Sequence, residues 1–240
     1  AAGRGSRMGE ETKVLPKCLT RLWGKTLLEW QLLALRGADI EEIAVVTGYH
    51  GEEIERREPP LTYFRNDDWE RTNMVSTLLC AEEWLLKAPC IVSYSDIFYE
   101  ASAVKLLQEA EEPLSITYFT KFRELWEKRF ANPLDDVESF KLTEDGHLKE
   151  IGQKVSSMDE IEGQYMGLLA FTPEGWQRVK KHLGTLPKPI AKTDMTSLLD
   201  HLIKKDIPIN ALPYDGRWLE VDSPKDLMLY EKEGCVSKEA

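Results

Sequence analysis

The chain has little that could cross-link it, ligate a soft metal or hold it in a membrane. Its four cysteines, Cys18, Cys80, Cys90 and Cys235, are scattered over 240 residues with no Cys-x-x-Cys spacing. They read as isolated thiols and not as a disulfide framework. The four histidines, His50, His147, His182 and His201, form no His-x-x-x-His pair and no Cys/His cluster, which removes the usual zinc patterns. Apolar runs are as short as Ile43-Ala44-Val45-Val46, far below the roughly 20 residues that span a bilayer. Positive charge is also scarce: 31 Lys and Arg stand against 42 Asp and Glu, a formal charge of −11. Nucleic acids and anionic membranes both demand a basic footprint. The expectation is therefore a cytoplasmic protein that binds neither, and whose phosphate partners, if any, are small and met locally.

What is present is enough apolar sequence, 42% of the residues, for one sizeable core. The expected unit is one domain over 1–240, with no internal repeat or linker. Thr26 to Arg36 is amphipathic and stops at Gly37, as a helix should. Ile43 to Thr47 is a β-branched run, Glu52 to Arg57 a short helix, Leu61 to Phe64 a strand, Met74 to Leu86 a helix and Cys90 to Ser93 another short apolar run. Such alternation implies an α/β fold, a Rossmann-like, mostly parallel sheet with helices on both faces, which binds ligands beyond the carboxyl ends of its strands.

The richest stretch is the first seventeen residues. Ala1-Ala2-Gly3-Arg4-Gly5-Ser6-Arg7-Met8 packs two glycines and two arginines together, and Leu15-Pro16-Lys17 follows. Gly3 and Gly5 free the backbone so that N–H groups can converge on an anion. Arg4 and Arg7 add charge-assisted donors, and Pro16 fixes the backbone before the Lys17 ammonium. Taken alone, the same residues also suit a solvated, frayed terminus. The stretch lacks the third glycine of a dinucleotide loop and the Gly-Lys-Ser/Thr of a Walker loop.

It resembles the signature loop of the nucleotidyltransferases that make nucleotide-sugars and CDP-alcohols, Ala-Ala-Gly-x-Gly-x-Arg-Met followed by Pro-Lys. The resemblance implies that Ala2, Gly3, Arg4, Gly5 and Arg7 hold the NTP phosphates while Lys17 neutralises charge as the α-phosphate is attacked. In that family a short apolar strand precedes the loop. This chain starts at Ala1, so the expectation is that the first strand is missing from it.

Two aspartates carry the rest of the chemistry. Asp96 follows the Cys90–Ser93 run, and Asp222 lies between Trp218–Val221 and the helix start Ser223-Pro224. Each suits a turn or a helix terminus on its own, and Asp226 suits the helix dipole still better. Together with a phosphate loop they suit Mg²⁺, which takes one or two carboxylates and completes its shell with water and phosphate oxygens. The resembling family has such a pair as its magnesium ligands, and Trp-x-Glu-Val-Asp-Ser-Pro-x-Asp-Leu is similar to its phosphocholine cytidylyltransferase branch.

Between these anchors, Asn66, Asn73 and Ser76 follow a strand and precede a helix, where the resemblance places nucleotide-base contacts; turn and cap roles are the other reading. Phe122, Trp126 and Phe130 form a helical stripe. In the resembling phosphocholine enzymes aromatics from an inserted segment, from a later strand and from near the metal aspartate enclose the choline ammonium, which here implies Trp126, Tyr165 and Trp218, with the inserted acceptor-binding segment expected at about 120–165. Lys154 is a candidate for the acceptor phosphate or an exposed lysine, and Asp194 a cap or an ammonium partner. Phe140–Leu142 and Leu148–Ile151 read as a hairpin around Asp145-Gly146.

The resulting expectation is a Mg²⁺-dependent cytidylyltransferase passing CMP from CTP to a small phosphate- or phosphonate-bearing acceptor. A sugar-1-phosphate enzyme using UTP, GTP or dTTP and a non-catalytic nucleotide-binding regulator are the alternatives, with a homodimer left open.

Overall fold

The computed structural model describes residues 1–58 and 60–235. Its centre is a four-stranded sheet in the spatial order Asn210–Tyr214, Leu114–Phe119, Gln164–Phe171, Cys90–Ser93. Leu114–Phe119 is buried along its whole length, polar residues included. The hydroxyls Ser115 and Thr117 are tolerated there because Ser115 Oγ accepts from Asn210 Nδ2 at 3.3 Å and Thr117 Oγ1 donates to the Leu168 carbonyl at 3.1 Å. Asn210–Tyr214 runs parallel to this strand, whereas Gln164–Phe171 is antiparallel to both its neighbours. The architecture is thus α/β, as the alternation implied, with mixed strand pairing.

Among the described residues four two-stranded units accompany this sheet, one of them the short antiparallel pair Arg21–Leu22 with Lys25–Thr26. Ala44–Thr47 and Thr62–Arg65 pair in parallel, Ile97–Tyr99 pairs antiparallel with Trp218–Glu220, and Phe140–Leu142 with Leu148–Ile151 forms the expected hairpin. Helix Leu27–Arg36 begins with a reciprocal cap: Glu29 N–H donates to Thr26 Oγ1, and Thr26 N–H to the Glu29 carboxylate. It packs on helix Ala101–Gln108 and on Ile97–Tyr99. Within the last turns of the molecule, Ser223 and Asp226 form a second such cap at the start of helix Pro224–Glu233.

The helix expected over Met74 to Leu86 is broken into Met74–Leu79 and Glu82–Lys87, with Ala81 at φ −105°, ψ 18° between them. Neither Gly nor Pro marks that bend, so the sequence carries no signal for it. Gly167, at φ +73°, sits where the Gln164–Phe171 strand shifts register, and a Cβ there would meet the Tyr94 ring at 2.7 Å. The bulge therefore clears the space that Tyr94 occupies beside the site described below. Among the described residues no helix is long and apolar enough to cross a membrane.

Candidate active site

Asp96 and Asp222 are brought together by a backbone ladder. Leu219 pairs with Phe98 and Glu220 with Ile97, and the ladder continues as Val221 N–H donates to the Asp96 carbonyl at 2.9 Å. The two aspartates therefore leave adjacent strand ends on the same edge, far apart though they are in the chain. Sequence reading missed the Ile97–Tyr99 strand and with it the reason for this proximity.

Lys17 lies between them. It opens a short 3₁₀ turn after Pro16, and its Nζ donates to Asp222 Oδ1 at 2.6 Å and to Asp96 Oδ2 at 2.8 Å. Burial alone would lower its pKa, but the two carboxylates outweigh that and hold it above the ordinary lysine value. The stem of Lys17 passes directly beneath Gly5, which is left-handed at φ +69°; a Cβ at that position would lie 2.8 Å from Lys17 Cβ and Cδ. Gly5 is thus needed twice, for its backbone angle and for the space it leaves. Gly3 has no positive φ and faces open space. Its lack of a side chain bears on approach from the cleft and not on backbone strain.

Arg7 donates to the same Asp222 oxygen at 2.8 Å while its own side chain stays 67% exposed, so it can turn to an arriving anion. Arg4 points away: it is exposed, lies 5.8 Å over the Tyr49 ring and does not line the cleft.

Behind Asp222 stands a residue that sequence reading missed. Arg129, from the last turn of helix Phe122–Arg129, is fully buried and reaches Asp226 at 3.0 Å, Glu220 at 3.1 Å and Asp222 at 3.4 Å. Three acidic residues packed into Glu220-Val221-Asp222-Ser223-Pro224-Lys225-Asp226 at a strand-to-helix junction were a signal that a buried cation had to come from elsewhere. Burial and the neighbouring Asp222 push the Glu220 carboxyl up to about 8, against the pull of Arg129. For Asp222, burial is outweighed by Lys17, Arg7 and Arg129, and its pKa lies below the usual carboxylate value.

Two cavities meet at this cluster. A cleft of 1510 Å³ is lined by Ala2, Gly3, Gly5, Lys17, Asn73 and Asp96, and extends between the Ala44–Thr47 and Cys90–Ser93 strands. A smaller cavity of 250 Å³ is lined by Trp126, Asp136, Glu138, Tyr165, Asp194 and Asp222. Arg7, Met74 and Tyr94 line both. One aspartate of the pair therefore faces each cavity.

Several expected contacts fall elsewhere. Asn66 does not reach the cleft; it is buried, and its Nδ2 donates to Thr72 Oγ1 at 2.9 Å and Thr77 Oγ1 at 3.0 Å, bracing the turn between strand and helix. Ser76 is half-buried outside the cleft lining, whereas Asn73 lines the cleft and caps Met74–Leu79 by accepting from Met74 N–H at 2.8 Å. Trp218 does not line the smaller cavity: it is buried, its ring nearly parallel to Trp126 at 6.0 Å, and its Nε1 donates to the Met166 carbonyl. Lys154 is exposed and lines neither cavity.

The pair fits a hard divalent cation. Two carboxylates already converge on one ammonium, and among the described residues no group of three or more His, Cys, Asp or Glu is placed to hold a metal. A two-carboxylate site completed by phosphate oxygens is the kind Mg²⁺ accepts.

The chain was compared with known proteins. Residues 1–149 match the family model described as MobA-like NTP transferase domain. A CTP:phosphoglutamine cytidylyltransferase of Campylobacter jejuni is 37% identical over 242 residues, covering 95% of each chain. A 2-aminoethylphosphonate cytidylyltransferase of Lancefieldella rimae is 32% identical over 100 residues, 40% of this chain and 41% of the relative. The solved CTP:phosphocholine cytidylyltransferase of Streptococcus pneumoniae superposes with a TM-score of 0.71 at 16% identity, covering 97% of this chain and 96% of that one, a likeness of fold.

Proposed function

The chain belongs to the MobA-like NTP transferase family and is a nucleotidyltransferase, and from that premise we propose that it is a Mg²⁺-dependent cytidylyltransferase, which transfers CMP from CTP to a small phosphate- or phosphonate-bearing acceptor. The observation that carries the reading is the buried Lys17 ammonium held between Asp96 and Asp222 where the two cavities meet. The long cleft suits the nucleotide and the small cavity suits the acceptor. The CTP preference rests on the relatives, whose names specify it.

In the reaction an acceptor oxygen attacks the α-phosphorus in line, the bond to the bridging oxygen of the β-phosphate breaks, and pyrophosphate leaves with its electron pair. No protein nucleophile is needed, because an acceptor phosphate is already ionised at neutral pH; the work is positioning and charge neutralisation. Gly3, Gly5 and Arg7 receive the departing phosphates, and Lys17 faces the α-phosphate, where charge accumulates. Arg129 holds Asp222 in place from behind. Asp96 and Asp222 would hold a Mg²⁺, which would supply charge neutralisation to the reacting phosphates.

The test is pyrophosphate release with Mg²⁺ and each of the four NTPs against phosphoethanolamine, 2-aminoethylphosphonate, phosphocholine and glucose-1-phosphate. Release with CTP and one of the first three is expected. Turnover confined to glucose-1-phosphate with UTP, GTP or dTTP would replace this reading with the sugar-nucleotide one.

A further inference from the structure

The two aspartates proposed to hold the metal already serve a cation of the chain itself. Lys17 Nζ donates to Asp222 Oδ1 at 2.6 Å and to Asp96 Oδ2 at 2.8 Å, and Arg7 reaches the same Asp222 oxygen at 2.8 Å. The second Asp222 oxygen lies 3.4 Å from Arg129. Both oxygens of Asp222 thus face cations, and at 7% exposure the carboxylate has little else to offer an incoming ion. Formally, the negative charges of Asp96 and Asp222 are matched one for one by the positive charges of Lys17 and Arg7.

The two cations are held differently. A Cβ on Gly5 would lie 2.8 to 3.1 Å from Lys17 Cβ, Cγ and Cδ, so the stem of Lys17 is packed in place up to Cδ. Only Cε and Nζ are left to swing, and that swing carries the ammonium off the carboxylates while the stem stays put. Arg7, at 67% exposure, leaves Asp222 without rearranging anything else. Arg7 and Lys17 line the nucleotide cleft together with Gly3 and Gly5.

We infer that Lys17 is a displaceable counter-ion, which keeps Asp96 and Asp222 closed to divalent cations until a polyphosphate draws its ammonium away. The inference rests on the reading of the aspartates as a metal pair and sets the condition under which that pair binds. An ammonium and a divalent cation in contact with the same two oxygens repel each other, so they occupy the pair by turns. A triphosphate in the cleft gives Lys17 and Arg7 replacement partners. The two carboxylates left behind are like charges in a partly buried site and favour the entry of a new cation. Metal and nucleotide binding are thereby coupled, and by linkage each tightens the other.

The first test is Mn²⁺ binding to the nucleotide-free protein, followed by electron paramagnetic resonance. Couplings between sites run about 5–150-fold, so Lys17→Gln should bind Mn²⁺ about tenfold or more tighter than wild type. Arg7→Gln removes the same charge but frees Asp222 alone, and should gain distinctly less. Adding Asp96→Asn to Lys17→Gln should abolish the gain. Lys17→Met, which keeps the apolar stem, serves the same titration if circular dichroism shows that the Gln variant does not fold. Wild type binding Mn²⁺ as tightly as Lys17→Gln, or an equal gain from Arg7→Gln, would overturn the displacement and leave the metal pair standing. A folded Lys17 variant that binds no Mn²⁺ would remove the metal pair itself, and the inference with it.

The second test is calorimetric binding of CTP in EDTA. Asp96→Asn releases one side of Lys17 and should tighten metal-free CTP about fivefold or more. Loss of a negative charge favours an anion in any case, so the same substitution is repeated in the Lys17→Gln background, where most of the gain should vanish. A gain of equal size in both backgrounds would show that Lys17 does not pass between the carboxylates and the phosphates, and would overturn the inference.

Discussion

Replacing Arg129 with Met keeps most of its buried stem and removes the guanidinium shared by Glu220, Asp222 and Asp226, leaving Asp222 its contacts with Lys17 and Arg7. Stripping one partner from a buried pair costs about 3–5 kcal/mol. Two of the three carboxylate side chains are nearly enclosed, Asp222 at 7% and Asp226 at 5% exposed, while Glu220 at 24% can draw on water. The loss should therefore lie within that range instead of being a threefold sum. For a chain of this size about 2–4 °C of Tm follows each kcal/mol, so a fall of roughly 6–20 °C is expected by thermal denaturation, with a lower urea midpoint at unchanged slope. The deficit should also depend on pH. Glu220 already has its carboxyl raised to about 8, and loss of Arg129 raises it further. A raised carboxylate contributes stability that is present at low pH and lost as pH climbs through the folded value, so the variant should trail the wild type less at pH 6 than at pH 8.5. Arg129→Lys, which restores charge but not the three-way fork, should fall between the two. An Arg129→Met protein within about 1 kcal/mol of wild type at pH 8 would refute the reasoning.

Other expectations follow from single contacts. Gly5→Ala should lower kcat by about 10²-fold or more, because its Cβ would displace the Lys17 stem. Gly9→Ala, at φ 62° and ψ −120° but facing open space, should cost backbone strain of about 1–3 kcal/mol in a urea melt and leave turnover near normal. Asp96→Asn should abolish Mg²⁺-dependent pyrophosphate release while leaving a wild-type circular dichroism spectrum; full activity would remove the metal assignment. Thr26→Ala should cost about 1 kcal/mol through loss of the cap on Leu27–Arg36, read as a lower urea midpoint. Cys18 is buried with its thiol pushed up to about 11 by that burial, so alkylation in the native protein should stay slow at pH 8 and become fast in denaturant.

Much of the fold was legible where local chemistry decides it. The helix start at Ser223, the Asp-Gly hairpin and the apolar runs at 43–47 and 90–93 are all set by side chains a few residues apart. Arg7, Lys17, Asp96 and Asp222 were legible as types, and the structure gathers them at one point, whereas Arg4 turns to Tyr49. What the sequence did not carry was pairing between distant segments. The Ile97–Tyr99 strand is too short to announce itself, and only its partner at Trp218–Glu220 makes it a strand. Arg129 in Glu127-Lys128-Arg129 looks like any basic helix end complementing the dipole; its burial depends on what packs against it. Asn66 and Trp218 were expected to face ligands because the resembling family places base and ammonium contacts at such positions. They were instead claimed by Thr72, Thr77 and the Met166 carbonyl.

The rung from Val221 to Asp96 also bears on how the enzyme comes into being. During synthesis the phosphate loop, Lys17 and Asp96 emerge long before residues 218–222, and until that segment docks beside Ile97–Tyr99 there is no second carboxylate and no counterpart for Arg129. A chain cut after Gly216 keeps most residues that line the larger cleft yet lacks Asp222, half of the proposed metal pair. On the proposed reading turnover requires residues 218–222 to have docked beside Ile97–Tyr99, and it reports that docking more faithfully than nucleotide binding does.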